Sequence, residues 1–418
     1  MNDIITHIQS NIFLFADDTS LFRELRSFAD ITVLNNDLQI LSQWSKQWLV
    51  TFNAIKTVYM IITRKKNPIN YPNLILDGTI LKKVDSHRHL GVTISSDFTW
   101  EKHIKDLSSK ASKAVGLLWK LSADLPRNCL ENIYITCIRP IMEYGNQLFD
   151  NSPACHLKLL EDVQRKAALL CTKALPRTHH NILLQDLGWS TLSNRRKFQR
   201  LCLLYKILNN LTQPYLLSIC PPKVANNVHY NLRNPNDLRQ PKCRTSAYQN
   251  SYIPSTVHDW NELSDTIKLS SSLDVFKSNL GKVLYNVEKN YYHTLINSQG
   301  GKHLSRIRLG LSFLQQHQKD YNFSNIKACP SCNFKSENEL HYFFDCPTFI
   351  AARQRMLRNV AEILTPGVHY SFLLPNHRKG KNYLLNIILH GKKELSKIEN
   401  IAIYKAIEGY IVETARFT

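Results

Sequence analysis

The chain has 418 residues, with 53 Lys and Arg against 33 Asp and Glu, a formal net charge of +20. Hydrophobic residues at 43% and charged residues at 21% exclude a wholly disordered chain. Ten cysteines are too few for a disulfide scaffold, and no apolar run nears the ~18 residues of a membrane span. The thirteen glycines favour long helices over a turn-rich β protein, and the positive surplus predicts a polyanionic partner. The N-terminal ten residues show no basic stretch before an apolar run, so the expected setting is intracellular, nucleus or cytoplasm, and not secreted.

In chain order, residues 11–26 read as two short strands with Asp17-Asp18 at the turn between them. Ile31, Leu34, Leu38, Leu41, Trp44 and Trp48 recur at gaps of three and four and predict a helix over 29–50. Residues 57–63 are β-branched and apolar and predict a strand. Residues 73–95 hold two or three more strands, punctuated by Asp77-Gly78 and Gly91.

From Trp100 the pattern turns helical, with Ile104, Leu107, Ala111, Val115 and Leu118 on one stripe. Pro126 marks a further helix start and Pro140 an interruption. Helices follow at about 155–175 and 192–211. Residues 220–255 read as a linker or irregular arm, and helix-like segments resume at 256–290. The expected fold is α+β, with regions at 1–98, 99–215, 216–300 and 301–418.

Adjacent carboxylates repel unless a cation lies near them. At a hairpin tip both can reach one point, and magnesium favours such oxygen ligands. Two such ions can activate a hydroxyl and stabilise a leaving pyrophosphate. The plainer reading of Asp17-Asp18 is a solvated turn.

Basic clusters stand at Arg64-Lys65-Lys66, Arg195-Arg196-Lys197 and 378–381. Together with interleaved aromatics they suit a nucleic-acid track, although any one cluster alone reads as solvated surface. On the helix from Trp100, Lys102, Lys105 and Lys113 lie off the apolar stripe. With Lys110, Lys120 and Arg127 they are candidate phosphate contacts.

Cys329-x2-Cys332-x8-His341-x4-Cys346 supplies three sulfurs and one imidazole, the ligand set of a tetrahedral zinc site. Phe343, Phe344 and Phe349 read as core of that small region rather than as a base-stacking surface. His303 and His317 lack ligand spacing. Most of the other seven cysteines read as small core residues, and Asp97 and Asp106 as capping or surface residues. Neither a nucleophile elbow nor a phosphate-binding glycine loop is present.

Phe15-Ala16-Asp17-Asp18 resembles the catalytic signature of reverse transcriptases of non-LTR (LINE-type) retrotransposons. The resemblance continues in order through Asn53 to Lys56-Thr57, His89-Leu90-Gly91-Val92, and Arg139-Pro140 to Tyr144-Gly145. It extends through Arg244-Thr245, Val257, Trp260-Asn261, Leu263 and Phe276-Lys277. It implies a partial palm with catalytic hairpin and primer grip, a helical thumb, a connecting region, and a zinc knuckle with carboxyl-terminal helices.

The implied reaction is DNA synthesis on an RNA template with magnesium and deoxynucleotides. Asp17 and Asp18 would be metal ligands, Lys56 an aid to nucleotide addition, and His89 and Gly91 primer-grip residues. RNA template and DNA primer are the implied partners, and no membrane is. The family uses a third carboxylate from an earlier strand, yet Asp3 is the one acid before Asp17. The expectation is therefore a truncated polymerase that is inactive alone and a possible complementing N-terminal polypeptide. The alternative is a non-catalytic nucleic-acid-binding remnant.

Overall fold

The protein is described by a computed structural model covering residues 4, 7–63, 65, 71–224, 235–285, 298–367, 369 and 378–417. Asp3, Arg64 and Lys66 lie outside the described residues. Among the described residues the architecture is α+β with 57% helix. Contacts divide the chain into two compact units, Met1–His103 and Ile104–Thr418. Among the described residues no helix is long and apolar enough to cross a membrane.

The first unit packs short hairpins on one helix. β1 (Asn11–Phe15) pairs antiparallel with β2 (Asp18–Phe22), Phe15 opposite Asp18. Helix α1 (Ala29–Gln47) buries Ile31, Leu34, Leu38 and Leu41 against Leu74, Leu76 and Leu81, with Ile12 and Leu21 of the hairpin packed alongside. Trp44 is half-buried beside Phe52, but Trp48 departs from the expected stripe and is 55% exposed. The helix stops at Gln47 and Leu49 turns left-handed at φ 55°, which breaks the 3.6-residue period.

The strand expected over 57–63 is only β3 (Val58–Tyr59). β4 (Ile75–Leu76) and β5 (Thr79–Ile80) form a hairpin across Asp77-Gly78, and β6 (Lys82–Lys83) pairs parallel with β3. A strand extends only where a neighbour supplies its hydrogen bonds, and β6 offers β3 two residues. β7 (Ser86–His89) and β8 (Val92–Ser95) form the last hairpin.

Helix α2 (Glu101–Leu121) buries all five stripe residues from Ile104 to Leu118. Pro126 is the N-cap of α3 (Arg127–Ile133), and a π-helical turn, Tyr134–Ile138, leads into α4 (Arg139–Glu143) with Pro140 in its first turn. Short α5 (Asn146–Phe149), α6 (Ala154–Thr172), α7 (His180–Leu187) and α8 (Leu192–Leu208) follow, the last capped by Thr191 Oγ1. Next come α9 (Pro214–Ser218), α10 (Ser246–Gln249), α11 (Tyr252–Asn261), α12 (Asp265–Lys268) and α13 (Leu273–Leu284). Leu201, Leu204 and Tyr205 of α8 share one core with Val257, Trp260 and Phe276.

The arm expected at 220–255 is ordered where described. Leu238 is buried in that core, and the Asn261 side chain accepts from its N–H and donates to its carbonyl, both at 2.9 Å.

The remaining helices, α14 (Gln299–Arg308), α15 (Gln315–Asp320), α16 (Ile350–Leu364), α17 (Arg378–His390) and α18 (Lys397–Thr414), surround the Cys/His segment. A Cβ on Gly300 would lie 2.6 Å from Glu408 Cγ, so glycine permits the close approach of α14 to α18. Phe343, Phe344 and Phe349 are buried as expected. Of the seven other cysteines, Cys171 and Cys202 are buried, Cys129, Cys220 and Cys243 are half-buried, and Cys137 and Cys155 are exposed, so fewer are core than expected.

Candidate catalytic hairpin and metal centre

The β1–β2 hairpin closes on the two-residue turn Ala16-Asp17, with Ala16 at φ 51°. A positive φ in a two-residue turn matches the twist of the flanking strands. Asp17 thus sits at the tip and Asp18 opens β2, both exposed. Among the described residues, no third His, Cys, Asp or Glu joins them in a metal-sized cluster.

Alternation along β1 puts Phe13 and Phe15 on the hairpin face shared by Asp18 and Ser20. Phe13 and Phe15 are exposed, as is Ile62, while Met60 is half-buried. On that same face Ser20 Oγ lies 3.4 Å from His89 Nε2. His89 ends β7 just before the turn Leu90-Gly91, whose φ angles are 46° and 82°. This is a turn with both central residues left-handed, where Gly91 is at ease and Leu90 is strained. The structure therefore brings His89 to the acidic hairpin.

Two aspartates of α1 hold the base of the hairpin, and sequence reasoning missed both. Asp37, 1% exposed, accepts from the N–H groups of Gln9 and Ser10 at 3.0 and 2.9 Å, just ahead of β1. Asp30 accepts from Arg23 Nε at 3.1 Å, just past β2, and from the N–H groups of Arg26 and Ser27. The Ser27 and Arg26 backbone donors, with Arg23, pull the Asp30 carboxyl down to about 2. A polar residue placed in the first turn of a helix and another one heptad on were the available signals.

Lys56 is exposed at the end of an Asn53 turn, where Asn53 Oδ1 accepts from its N–H at 3.0 Å. The structure does not join Lys56 to Asp17 or Asp18 by any hydrogen bond or ion pair among the described residues.

Lys102, Lys105, Lys110, Lys113 and Lys120 are exposed on α2, and Lys102 Nζ donates to Ser86 Oγ at 2.6 Å. Arg127 is not a phosphate contact. It is fully buried, with Glu131 at 2.6 Å and Asp186 at 2.8 Å, and Asp186 also meets Arg308 at 2.5 Å. The cluster Arg195-Arg196-Lys197 is likewise consumed internally, by Glu143, Asp150 and Asp259. Asp97 fits its expected local role, accepting from the N–H of Thr99 ahead of α2.

At the second site, the ligand atoms of Cys329, Cys332, His341 and Cys346 all lie within 4.8 Å of one another. Cys329 and Cys346 sulfurs are 4.0 Å apart, and Cys332 Sγ is 3.3 Å from His341 Nε2. A tetrahedron with Zn–S of about 2.3 Å and Zn–N of about 2.0–2.1 Å has edges of about 3.5–3.8 Å. The donor set and its spacing fit zinc.

Two backbone devices create that spacing. Asn333 at φ 59° turns the chain after Cys332, and Cys329 N–H donates to Phe334 O at 2.8 Å. Residues His341–Asp345 form a π turn closed by Cys346 N–H to His341 O at 2.7 Å. An α-helix would turn residues five apart well away from each other, whereas the wider π turn brings them to one side. Burial pushes the Cys329 thiol up to about 12 and keeps the His341 imidazole neutral by lowering its pKa. The neutral ring is the form that ligates, and a bound cation would be needed to hold the thiolate.

His303 and His317 are not ligands. His303 is stacked on Phe417, and burial lowers its pKa to about 4. His317 lies between Ser312 Oγ at 2.9 Å and Glu339 Oε1 at 2.7 Å. Ser312 is 1% exposed, so this row of three side chains offers no substrate access.

The chain is 26% identical over 162 residues to the RNA-directed DNA polymerase from mobile element jockey of Drosophila melanogaster, covering 37% of this chain and 17% of that protein. It is 24% identical over 166 residues to the probable RNA-directed DNA polymerase from transposon BS, 39% of this chain and 18% of the relative, also from D. melanogaster. With the probable RNA-directed DNA polymerase from the X-element transposon of the same fly, identity is 23% over 194 residues, 46% and 21% of the two chains. The matched part is thus about a fifth of the length of these relatives. Neither a family model nor a solved structure matches.

Proposed function

From a chain whose relatives are RNA-directed DNA polymerases of mobile elements, we propose that this protein is part of a non-LTR retrotransposon reverse transcriptase. In this reading residues 1–98 belong to the palm, 99–215 to the thumb, 216–300 to a connecting region and 301–418 to a zinc-knuckle region. The observation that carries the reading is that Asp18, next to the hairpin tip, lies on the face where Ser20 meets His89.

Asp17 and Asp18 would hold magnesium, which supplies Lewis-acid activation of a primer hydroxyl and charge stabilisation of the leaving pyrophosphate. The clamps at Asp30 and Asp37 fix the strands that present them. His89 and the Leu90-Gly91 turn would position the primer end beside that tip. Lys56 would approach the nucleotide, and Lys102, Lys105 and Lys113 would neutralise template–primer phosphates. Cys329, Cys332, His341 and Cys346 would hold zinc in a structural role, since four protein ligands leave no open position.

The test is magnesium-dependent primer extension on an RNA template, with wild type and Asp17→Asn or Asp18→Asn compared. Loss of a metal ligand should lower extension by about a thousandfold, several kcal/mol of transition-state stabilisation. Equal extension by the variants would overturn the catalytic reading, while none by wild type is the outcome expected of a chain inactive alone. For the binding part, Lys113→Ala should weaken hybrid-duplex binding and reduce the salt slope by about one.

A further inference from the structure

Beside the four candidate ligands stands a carboxylate that the ligand count does not need. Glu337 is wholly buried, and its Oε1 lies 3.7 Å from Cys329 Sγ. Three thiolates and a divalent ion leave a net charge of −1, so a buried carboxylate against one of those sulfurs is unfavourable unless countered.

The counter-charge comes from the far end of the chain. Arg416, just past α18, donates from Nε and Nη2 to the two Glu337 oxygens, each at 2.6 Å. Glu337 also accepts from the Gln315 N–H at 3.0 Å. Arg416 is anchored in turn, Nη2 to Phe313 O at 3.3 Å and the guanidinium over the Phe417 ring. A two-pronged guanidinium–carboxylate pair fixes direction as well as charge.

We propose that Arg416 is a positioning residue for the metal centre: through Glu337 it balances the charge beside Cys329 and couples metal loading to docking of the segment after α18. The inference rests on the zinc reading above. It identifies no new ligand; it assigns the metal's affinity to a residue 70 positions beyond the last one, Cys346. Coupling of this kind is reciprocal, so the metal should also hold the segment in place.

The test uses the full chain and cobalt as the probe, read by its tetrahedral absorption and by competition with a chromophoric chelator. Arg416→Met should weaken cobalt binding by ten-fold or more, the usual effect of losing an outer partner. Arg416→Lys should recover part of this. The decisive variant is Glu337→Gln with Arg416→Met, which removes both charges and should return affinity to within about threefold of wild type.

The proposal is overturned if Arg416→Met binds as wild type, or if the double variant remains as weak as the single one, because Arg416 would then act through packing alone. Failure of the zinc reading looks different: wild type itself gives no tetrahedral cobalt spectrum, or Cys332→Ser with His341→Ala binds as wild type does. In either case both readings fall. For the reciprocal arm, mass spectrometry should show faster tryptic cleavage after Arg416 when metal is chelated, and an unchanged rate would remove that arm.

Discussion

Several side chains that look like nucleic-acid contacts in the sequence have other work in the fold. Arg127 is the plainest case, a guanidinium with no exposed surface, held by Glu131 and Asp186. Removing one member of such a group leaves buried charge without a partner. Arg127→Met is therefore expected to cost about 3–5 kcal/mol of stability, read as a fall in the denaturation midpoint of the second unit. A change below about 1 kcal/mol would show that the network contributes little. The family-like residues divide in the same way. Val257, Trp260 and Phe276 are core, Asn261 fastens Leu238, and Gly145 at φ 66° caps α5, so these positions carry the fold rather than the chemistry. Asp17, Asp18 and the α2 lysines are by contrast exposed.

The hairpin shows how one element positions another. Among the described residues its two strands pair with nothing else, so its place depends on α1 through Asp30, Asp37 and the packing of Ile12 and Leu21. Asp37→Ala strands two amide donors and should cost about 1–3 kcal/mol. Hydrogen exchange at Gln9 and Ser10 should quicken in the variant, and unaltered exchange there would sink the clamp. The Asp30 carboxyl is depressed in the folded protein, so its contribution is present above the ordinary value near 3.8 and disappears as pH falls towards about 2. Amide protection at Arg26 and Ser27 should fade over that window in wild type. Asp30→Asn should show no such titration.

At the scale of the whole chain, the Cys/His segment is not a bead on a string. Cys329, Cys346 and the aromatic run Tyr342–Phe344 share one core with α14, α16, α17 and α18. Tyr410 donates to the Tyr342 carbonyl at 2.5 Å, and Ser305 and Arg306 of α14 donate to carbonyls at the end of α6. Metal removal should therefore lower the melting temperature of the Ile104–Thr418 unit cooperatively, not merely loosen a short loop. Calorimetry with and without chelator checks this, and an unchanged transition would confine the metal's effect to the segment itself.

Local signals in the sequence determined the elements and much of the candidate chemistry. Apolar spacing gave α1, α2, α6 and α8, because a helix repeats its buried face every three to four residues whatever it packs against. Asp77-Gly78 and Gly91 marked turns because few residues tolerate positive φ. The candidate ligand set at 329–346 was legible because a metal needs particular donor atoms at short spacing. Tertiary structure alone decided the rest. Asp30, Asp37, Glu337 and Arg416 act on residues up to 79 positions away, and beyond the helix positions of the two aspartates nothing local distinguishes them from surface charges. Which arginines face solvent and which are buried in ion pairs was likewise undetermined, since a charge reads the same in sequence whether its partner is water or a carboxylate folded against it.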